Sequence, residues 1–159
     1  MHRPAQCVRL KRLDPTCEAF RALLHESRRE GYWMLVRLAE GWEDGRNRFS
    51  RREETVLAAW HDDRLTAVCG LNVDPYVDSP CEGRVRHLYV LPACRRSGVG
   101  RLLVGAIIEN ARKYFSVLNV RAPTEAFVFY ETLGFRRIEA EHATHRLPLR
   151  PVVDSRRSA

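Results

Sequence analysis

The sequence predicts a single mixed α/β domain with a mostly antiparallel front half, and three observations predict it. Residues 56–60 and 65–71 are apolar, strand-like runs on either side of His61-Asp62-Asp63-Arg64, the pattern of an antiparallel hairpin. A further strand pattern at 85–90 ends at Pro92, and a helical stripe of Val99, Leu102, Leu103, Ala106, Ile107 and Ala111 follows it. Strand and helix periods then alternate to the end of the chain, which places helices against a sheet.

The elements follow in order. Residues 8–13 alternate apolar and basic side chains, a strand pattern. Asp14-Pro15-Thr16 can start a helix, and Phe20, Leu23, Leu24 and Ser27 follow at helical spacing. Gly31 interrupts; residues 32–42 read as a second amphipathic helix closed by Gly41 and Gly45, and 46–54 as a polar loop. Asp74-Pro75-Tyr76 and Ser79-Pro80 form the loop before the 85–90 strand. A helix over 98–115, a short strand over 116–120 and a helix over 124–133 with Gly134 beyond it come next. Residues 136–149 hold one or two last strands. The domain thus spans 1–150, and the polar, basic 151–159 reads as a disordered tail.

Composition narrows the function classes. With 45% hydrophobic residues the chain can build a core, and no apolar run nears the roughly 18–20 residues a membrane helix needs. The first residues lack a signal peptide's apolar stretch, so the expected location is the cytoplasm. Five widely spaced cysteines, with no Cys-x-x-Cys, predict reduced, mostly structural thiols and no bound metal; Cys94 alone falls near a candidate binding loop. The net charge of +7 is carried almost wholly by arginine. These arginines are scattered and accompany no nucleic-acid motif, so a nucleic-acid partner is not expected; a polyanionic small ligand fits the charge equally well.

The strongest local signal is Arg95-Arg96-Ser97-Gly98-Val99-Gly100. A helix begins with unpaired amide hydrogens and partial positive charge, and a phosphate satisfies both. Gly98 and Gly100 keep the backbone bare so that oxygens can approach, and Arg95 and Arg96 add charge-assisted hydrogen bonds. An isolated Gly-x-Gly would be weak. Here it follows a strand, a proline and two arginines and opens an apolar helix, where its mechanism needs it.

With Leu88-Tyr89-Val90-Leu91-Pro92 before it and Arg101-Leu102-Leu103 after it, this loop resembles the main motif of the GCN5-related N-acetyltransferases, the GNAT superfamily. A second segment, Ala126-Phe127-Val128-Phe129-Tyr130-Glu131-Thr132-Leu133-Gly134-Phe135, is similar to that family's A-x-x-F-Y-x-x-x-G-F stretch. The resemblance runs from about Thr55 to Arg137; the first fifty residues match only in outline. It implies a strongly bent mixed sheet of about six to seven strands with about four helices. Two parallel strands, here 85–90 and 117–121, would splay to admit the pantetheine arm of acetyl-CoA, the implied co-substrate. Backbone near Tyr89, Val90 and Leu91 would bind that arm, with the Val90 amide facing the thioester oxygen. Amides of Arg96 to Gly100 and the Arg95 side chain would hold the pyrophosphate. Leu88, Ser97, Val99, Arg101, Asn119 and Phe129 complete the expected cofactor contacts.

The resemblance also implies direct acyl transfer: a neutral amine attacks the thioester, a donor stabilises the oxyanion, and the departing thiolate takes a proton. Tyr130 occupies the family's position for that acid, though plain helix packing would also explain it. The base is open. Many relatives place a glutamate where this chain has Arg84 and Arg86; some protein N-terminal acetylators use one where it has Asn119; and Pro123 replaces a frequent asparagine. A water chain, His87, Glu82, Asp74 and His145 are candidates. His87 also fits a satisfied core histidine, and His142 and His145 fit structural roles. By strand alternation Arg84, Arg86 and Leu88 would share a face.

The acceptor would be a primary amine of a small molecule or peptide. Early aromatic and acidic residues, Glu30 and Trp42 among them, can line a pocket for a cation or simply face the core. Arg84 and Arg86 suggest instead a carboxylate on the acceptor. The alternative to an enzyme is a non-catalytic acyl-CoA-binding or sensing domain. A homodimer is possible, as for many small enzymes.

Overall fold

The computed structural model describes residues 7–150; the tail expected at 151–159 lies outside them. Seven strands form one sheet in the order β1-β2-β3-β4-β5-β7-β6: β1 (Val8–Arg12), β2 (Thr55–His61), β3 (Arg64–Val73), β4 (Glu82–Val90), β5 (Val117–Val120), β6 (Arg136–Arg137) and β7 (His145–Pro148). Every neighbouring pair is antiparallel except β4 and β5. Four α-helices accompany it: α1 (Glu18–Arg29), α2 (Met34–Glu43), α3 (Val99–Ala111) and α4 (Phe127–Thr132). Strand and helix counts match the expected fold. Among the described residues no helix is long and apolar enough to cross a membrane.

The sheet separates two cores. On one face α3 drives Leu103, Val104 and Ile107 against Cys69, Leu71, Val85 and Leu118. On the other, α1 and α2 bring Phe20, Leu23, Leu35 and Leu38 onto Val56, Val68 and Tyr89, with Phe49 from the following loop. Burying each such side chain contributes roughly 1.5–3 kcal/mol. Gly31, at φ +85°, makes the corner between α1 and α2. Gly83 lets the parallel pair approach the end of α3: a Cβ there would lie 2.7 Å from the Phe115 ring.

Several boundaries differ from the expectation. The third helix ends at Ala111, not Phe115, because the chain turns through Arg112–Tyr114 to bring Phe115 under the sheet. The helix expected over 124–133 begins as a 3-10 turn, Thr124–Ala126. Gly41 lies buried inside α2 and Gly45, at φ +80°, follows it. Among the cysteines, all unbonded, only Cys69 is buried; Cys7 and Cys81 are exposed, and Cys94 is half-buried against the α1/α2 core.

The larger correction concerns β4. Gly70 pairs with Arg86 but Val68 pairs with Tyr89, so two residues of β4, His87 and Leu88, oppose Cys69 alone. This is a β-bulge, and it shifts the alternation by one. Arg84, Arg86 and Tyr89 therefore share the α1/α2 face, while Val85 and Val90 face α3. The expected face of Arg84, Arg86 and Leu88 does not survive the bulge. His87 takes a left-handed φ of +59° to make it.

Candidate active site

The bulge sits where the sheet opens. β4 and β5 pair at only three positions, Glu82, Gly83 and Arg84 with Val117, Leu118 and Asn119, and then part. A cleft of about 240 Å³ lies at the opening, lined among others by Arg86, His87, Leu88, Val120 and Tyr130. Leu91 donates its N–H to the Thr66 carbonyl on β3 at 2.8 Å. By alternation the Val90 N–H and C=O point away from β3, toward the parted side.

At the far end of β4, a 3-10 turn (Pro92–Cys94) leads into the loop before α3. Arg96 and Gly98 both have positive φ, +61° and +88°. Ser97 Oγ donates to the Cys94 carbonyl and holds the turn. No side chain caps α3, and its first backbone bond runs from Leu102 N–H to Gly98 C=O at 3.0 Å. The amides of Val99, Gly100 and Arg101 therefore have no intrahelical acceptor. Gly98 is open to solvent, and a Cβ on Gly100 would sit 3.4 Å from Val90 and 3.6 Å from Phe129. The loop, the end of β4 and the start of α4 meet at that glycine.

Arg95 does not extend along this loop. Its guanidinium forms a two-pronged pair with Glu30 at 2.8 and 2.6 Å, and its Nε donates to the Val90 carbonyl at 3.0 Å. Tyr89 donates its hydroxyl to the same carboxylate at 2.5 Å. Hydrogen bonding from Arg95 holds the Glu30 carboxyl below its usual range, while burial and Glu30 push the Tyr89 phenol up. Glu30, expected at an acceptor pocket, thus ties the end of α1 to the loop. Arg96 and Arg101 are exposed and without an ion pair among the described residues.

Tyr130 lies on α4 with its ring against Phe129, Phe135 and His145, at centroid distances of 5.1, 5.3 and 6.5 Å. Its hydroxyl has no hydrogen-bond partner among the described residues, and burial raises its pKa well above the ordinary value. The phenol stays protonated and able to donate.

Most other expected site residues are engaged by protein partners, although Arg84 also lines the cleft. Arg84 is buried, 3.5 Å from Asp74, bonded to the His142 carbonyl and 4.7 Å over the Tyr76 ring. Asn119, expected beside the cofactor, is buried and donates to Asp74 at 2.9 Å. Glu82 pairs with Arg146 at 2.8 Å. These groups form a polar cluster at the closed end of the strand pair. Asp74 and Glu82 are therefore partnered and not free to act as base. His145 is fully buried between Thr144 and the α4 aromatics. Trp42 packs on the α1/α2 core and lines no part of the cleft.

His87 remains in the cleft. It also borders a second cavity of about 680 Å³ beneath α2 and the 46–54 loop, with Arg37 and Arg86 common to both. Its ring meets Phe49 edge-on at 6.1 Å. Burial first, then Arg86, lowers its pKa to about 3, with a Met34 backbone bond opposing. A depressed folded pKa means the unfolded chain binds more protons between pH 6.5 and 3. The resulting stability is present above pH 6.5 and lost as pH falls toward 3. His87→Gln should flatten that part of the melting-temperature profile; an unchanged slope would mean the imidazole is not buried neutral. Residues of the second cavity such as Asn72 and Arg51 were not singled out from the sequence. Asn72 resembles any polar strand residue, and Arg51 sits in a loop with no period to place it.

Among the described residues no group of three or more His, Cys, Asp or Glu could hold a metal. A parallel pair that parts near a bare helix N-terminus has the shape and charge to take a long ligand with an anionic head. A family model, the acetyltransferase (GNAT) domain, matches residues 36–152, and the chain belongs to this family of acetyltransferases. Its fold is similar to that of an Exiguobacterium sp. 255-15 protein assigned as an acetyltransferase, with a TM-score of 0.81 at 27% identity over 89% of this chain and 93% of that one. It is also similar to the ribosomal-protein-S18-alanine N-acetyltransferase of Escherichia coli, with a TM-score of 0.65 at 17% identity over 94% and 98%. A Salmonella typhimurium protein assigned as an acetyltransferase and solved with its cofactor acetyl-CoA gives a TM-score of 0.65 at 14% identity over 92% and 96%. The last two likenesses concern the fold.

Proposed function

We propose that this chain transfers the acetyl group of acetyl-CoA directly to a primary amine of a small molecule or peptide. The observation that carries the reading is the line from the parted strands to the uncapped amides of α3. Acetyl-CoA fits it: the Val99, Gly100 and Arg101 amides have no acceptor, Gly98 leaves the approach open, and Arg96 and Arg101 supply charge. Ser97 fixes the turn, and the Leu88 to Val90 backbone and Phe129 border the path of the arm. When bound, acetyl-CoA supplies an activated acyl group.

The protein's own contribution is placement and protons. The Val90 N–H offers a hydrogen bond to the acyl oxygen as negative charge develops there. The Tyr130 hydroxyl donates a proton to the leaving sulfur. The amine enters neutral; its nitrogen becomes strongly acidic on bond formation, so a weak base suffices to take its proton. Two histidines line the cleft; His142 stacks on the Tyr76 ring at 4.3 Å, and His87 accepts the proton directly or through a water.

Titration with acetyl-CoA and a free-thiol assay across an amine and peptide screen test the reading. Binding with thiol release is expected. Binding without release from any amine would leave the acyl-CoA-sensing domain instead, and no binding would remove both.

A further inference from the structure

The cavity beneath α2 joins the transfer cleft at Arg37, Arg86 and His87, and it carries an unbalanced charge. Arg86 is half-buried on β4, yet its guanidinium has no hydrogen-bond acceptor or carboxylate partner among the described residues. Arg84, two residues back, lies 3.5 Å from the Asp74 carboxylate and donates to the His142 carbonyl, although its Nη1 makes no hydrogen bond. A partly buried, unmatched cation is costly unless something pairs with it. Two more arginines of the same cavity, Arg37 and Arg51, also lack an ion pair among the described residues. Two carboxylates also line the cavity: Glu40, and Glu54, whose oxygens accept the Val73 and Arg51 amides at 3.1 and 3.3 Å; neither forms an ion pair with Arg37, Arg51 or Arg86 among the described residues, and the arginines outnumber them. A second, independent sign is Asn72, which lines the cavity with a buried side-chain oxygen that has no partner. It is an acceptor waiting for an N–H, such as that of an amine.

We propose that the acceptor is a small amine bearing its own anionic group, a carboxylate or a phosphate, which Arg86, Arg37 and Arg51 hold while its nitrogen reaches His87. This rests on the acetyl-CoA reading above and names its second substrate. The cavity volume of about 680 Å³ suits a small molecule. Guanidinium matches both anions through paired N–H donors, so the shared chemistry is an oxyanion.

Matched amines separate the possibilities: amino acids against their methyl esters, and O-phosphoethanolamine against ethanolamine, each followed by thiol release. The anionic member of at least one pair should react with a kcat/KM about tenfold or more above its neutral partner. Arg86→Gln should raise the KM of that member roughly ten- to a hundredfold relative to the KM of its neutral partner, the scale of a lost charge-assisted contact; because Arg86 also lowers the His87 pKa, KM is compared between the two members and kcat is not used to separate them. Arg37→Gln and Arg51→Gln, on exposed positions, should act in the same direction if Arg86→Gln folds poorly. Whichever pair responds tells carboxylate from phosphate. Preference for the neutral members, no reaction of any anionic member, or equal effects of the variants on both members overturns the proposal. Calorimetry with acetyl-CoA on the same preparation keeps the two readings apart: intact binding with neutral preference removes the anionic acceptor alone, and absent binding removes both.

Discussion

Gly98→Val is expected to abolish acetyl-CoA binding while leaving the folded core in place. The position has φ +88°, a conformation that a β-branched residue resists by on the order of 1–3 kcal/mol. Space is not the obstacle, because a Cβ at Gly98 would meet nothing within 4 Å. The cheapest relief is rotation of the backbone around residue 98, which turns the Val99 and Gly100 amides away from their common target. Acetyl-CoA at about one hundred times its Kd should stabilise the wild-type chain by about 2.7 kcal/mol. The valine variant should show none of that stabilisation and should melt close to the unliganded wild type. Gly98→Asn is the control, since asparagine tolerates the left-handed region, and it should retain most of the binding. Equal acetyl-CoA affinity in wild type and Gly98→Val would show that these amides do not hold the coenzyme.

The contrast between this loop and the acceptor side explains what could be read in advance. Around Gly98 the determinants are local: a strand end, two glycines and a helical apolar stripe lie within about twenty residues. Periodicity and residue type therefore suffice to locate the loop and the helix behind it. The acceptor side depends on contacts distant in sequence. Arg84 and Arg86 look equivalent along β4, and only Asp74 and His142, from two other loops, tie down the first and leave the second free. The bulge opposite Cys69 is a property of strand pairing, so nothing in the run from Arg84 to Val90 announces it. It moves Tyr89 onto the α1/α2 face beside Glu30, and it places His87 between the two cavities. Asn119 illustrates the same limit. Its type and position suit a cofactor contact, but the buried Asp74 carboxylate, 45 residues away, engages it first.

Tyr130→Phe should lower kcat by roughly 10²–10⁴, the range for loss of a positioned acid, with the acetyl-CoA Kd unchanged. The substitution is clean for physical reasons. The ring packs against Phe129, Phe135 and His145, and a phenylalanine keeps those contacts. The hydroxyl makes no hydrogen bond among the described residues, so its removal should change folding stability by about 1 kcal/mol or less. Tyr130 is moreover buried enough that its pKa stands well above the ordinary tyrosine value. It therefore remains protonated through the working range, and the wild-type rate should show no alkaline decline from this group below about pH 10. The rise of rate with pH should instead follow deprotonation of the acceptor amine and persist in the phenylalanine variant. An unaltered kcat in that variant would reduce Tyr130 to a packing residue and leave the departing sulfur to be protonated by water.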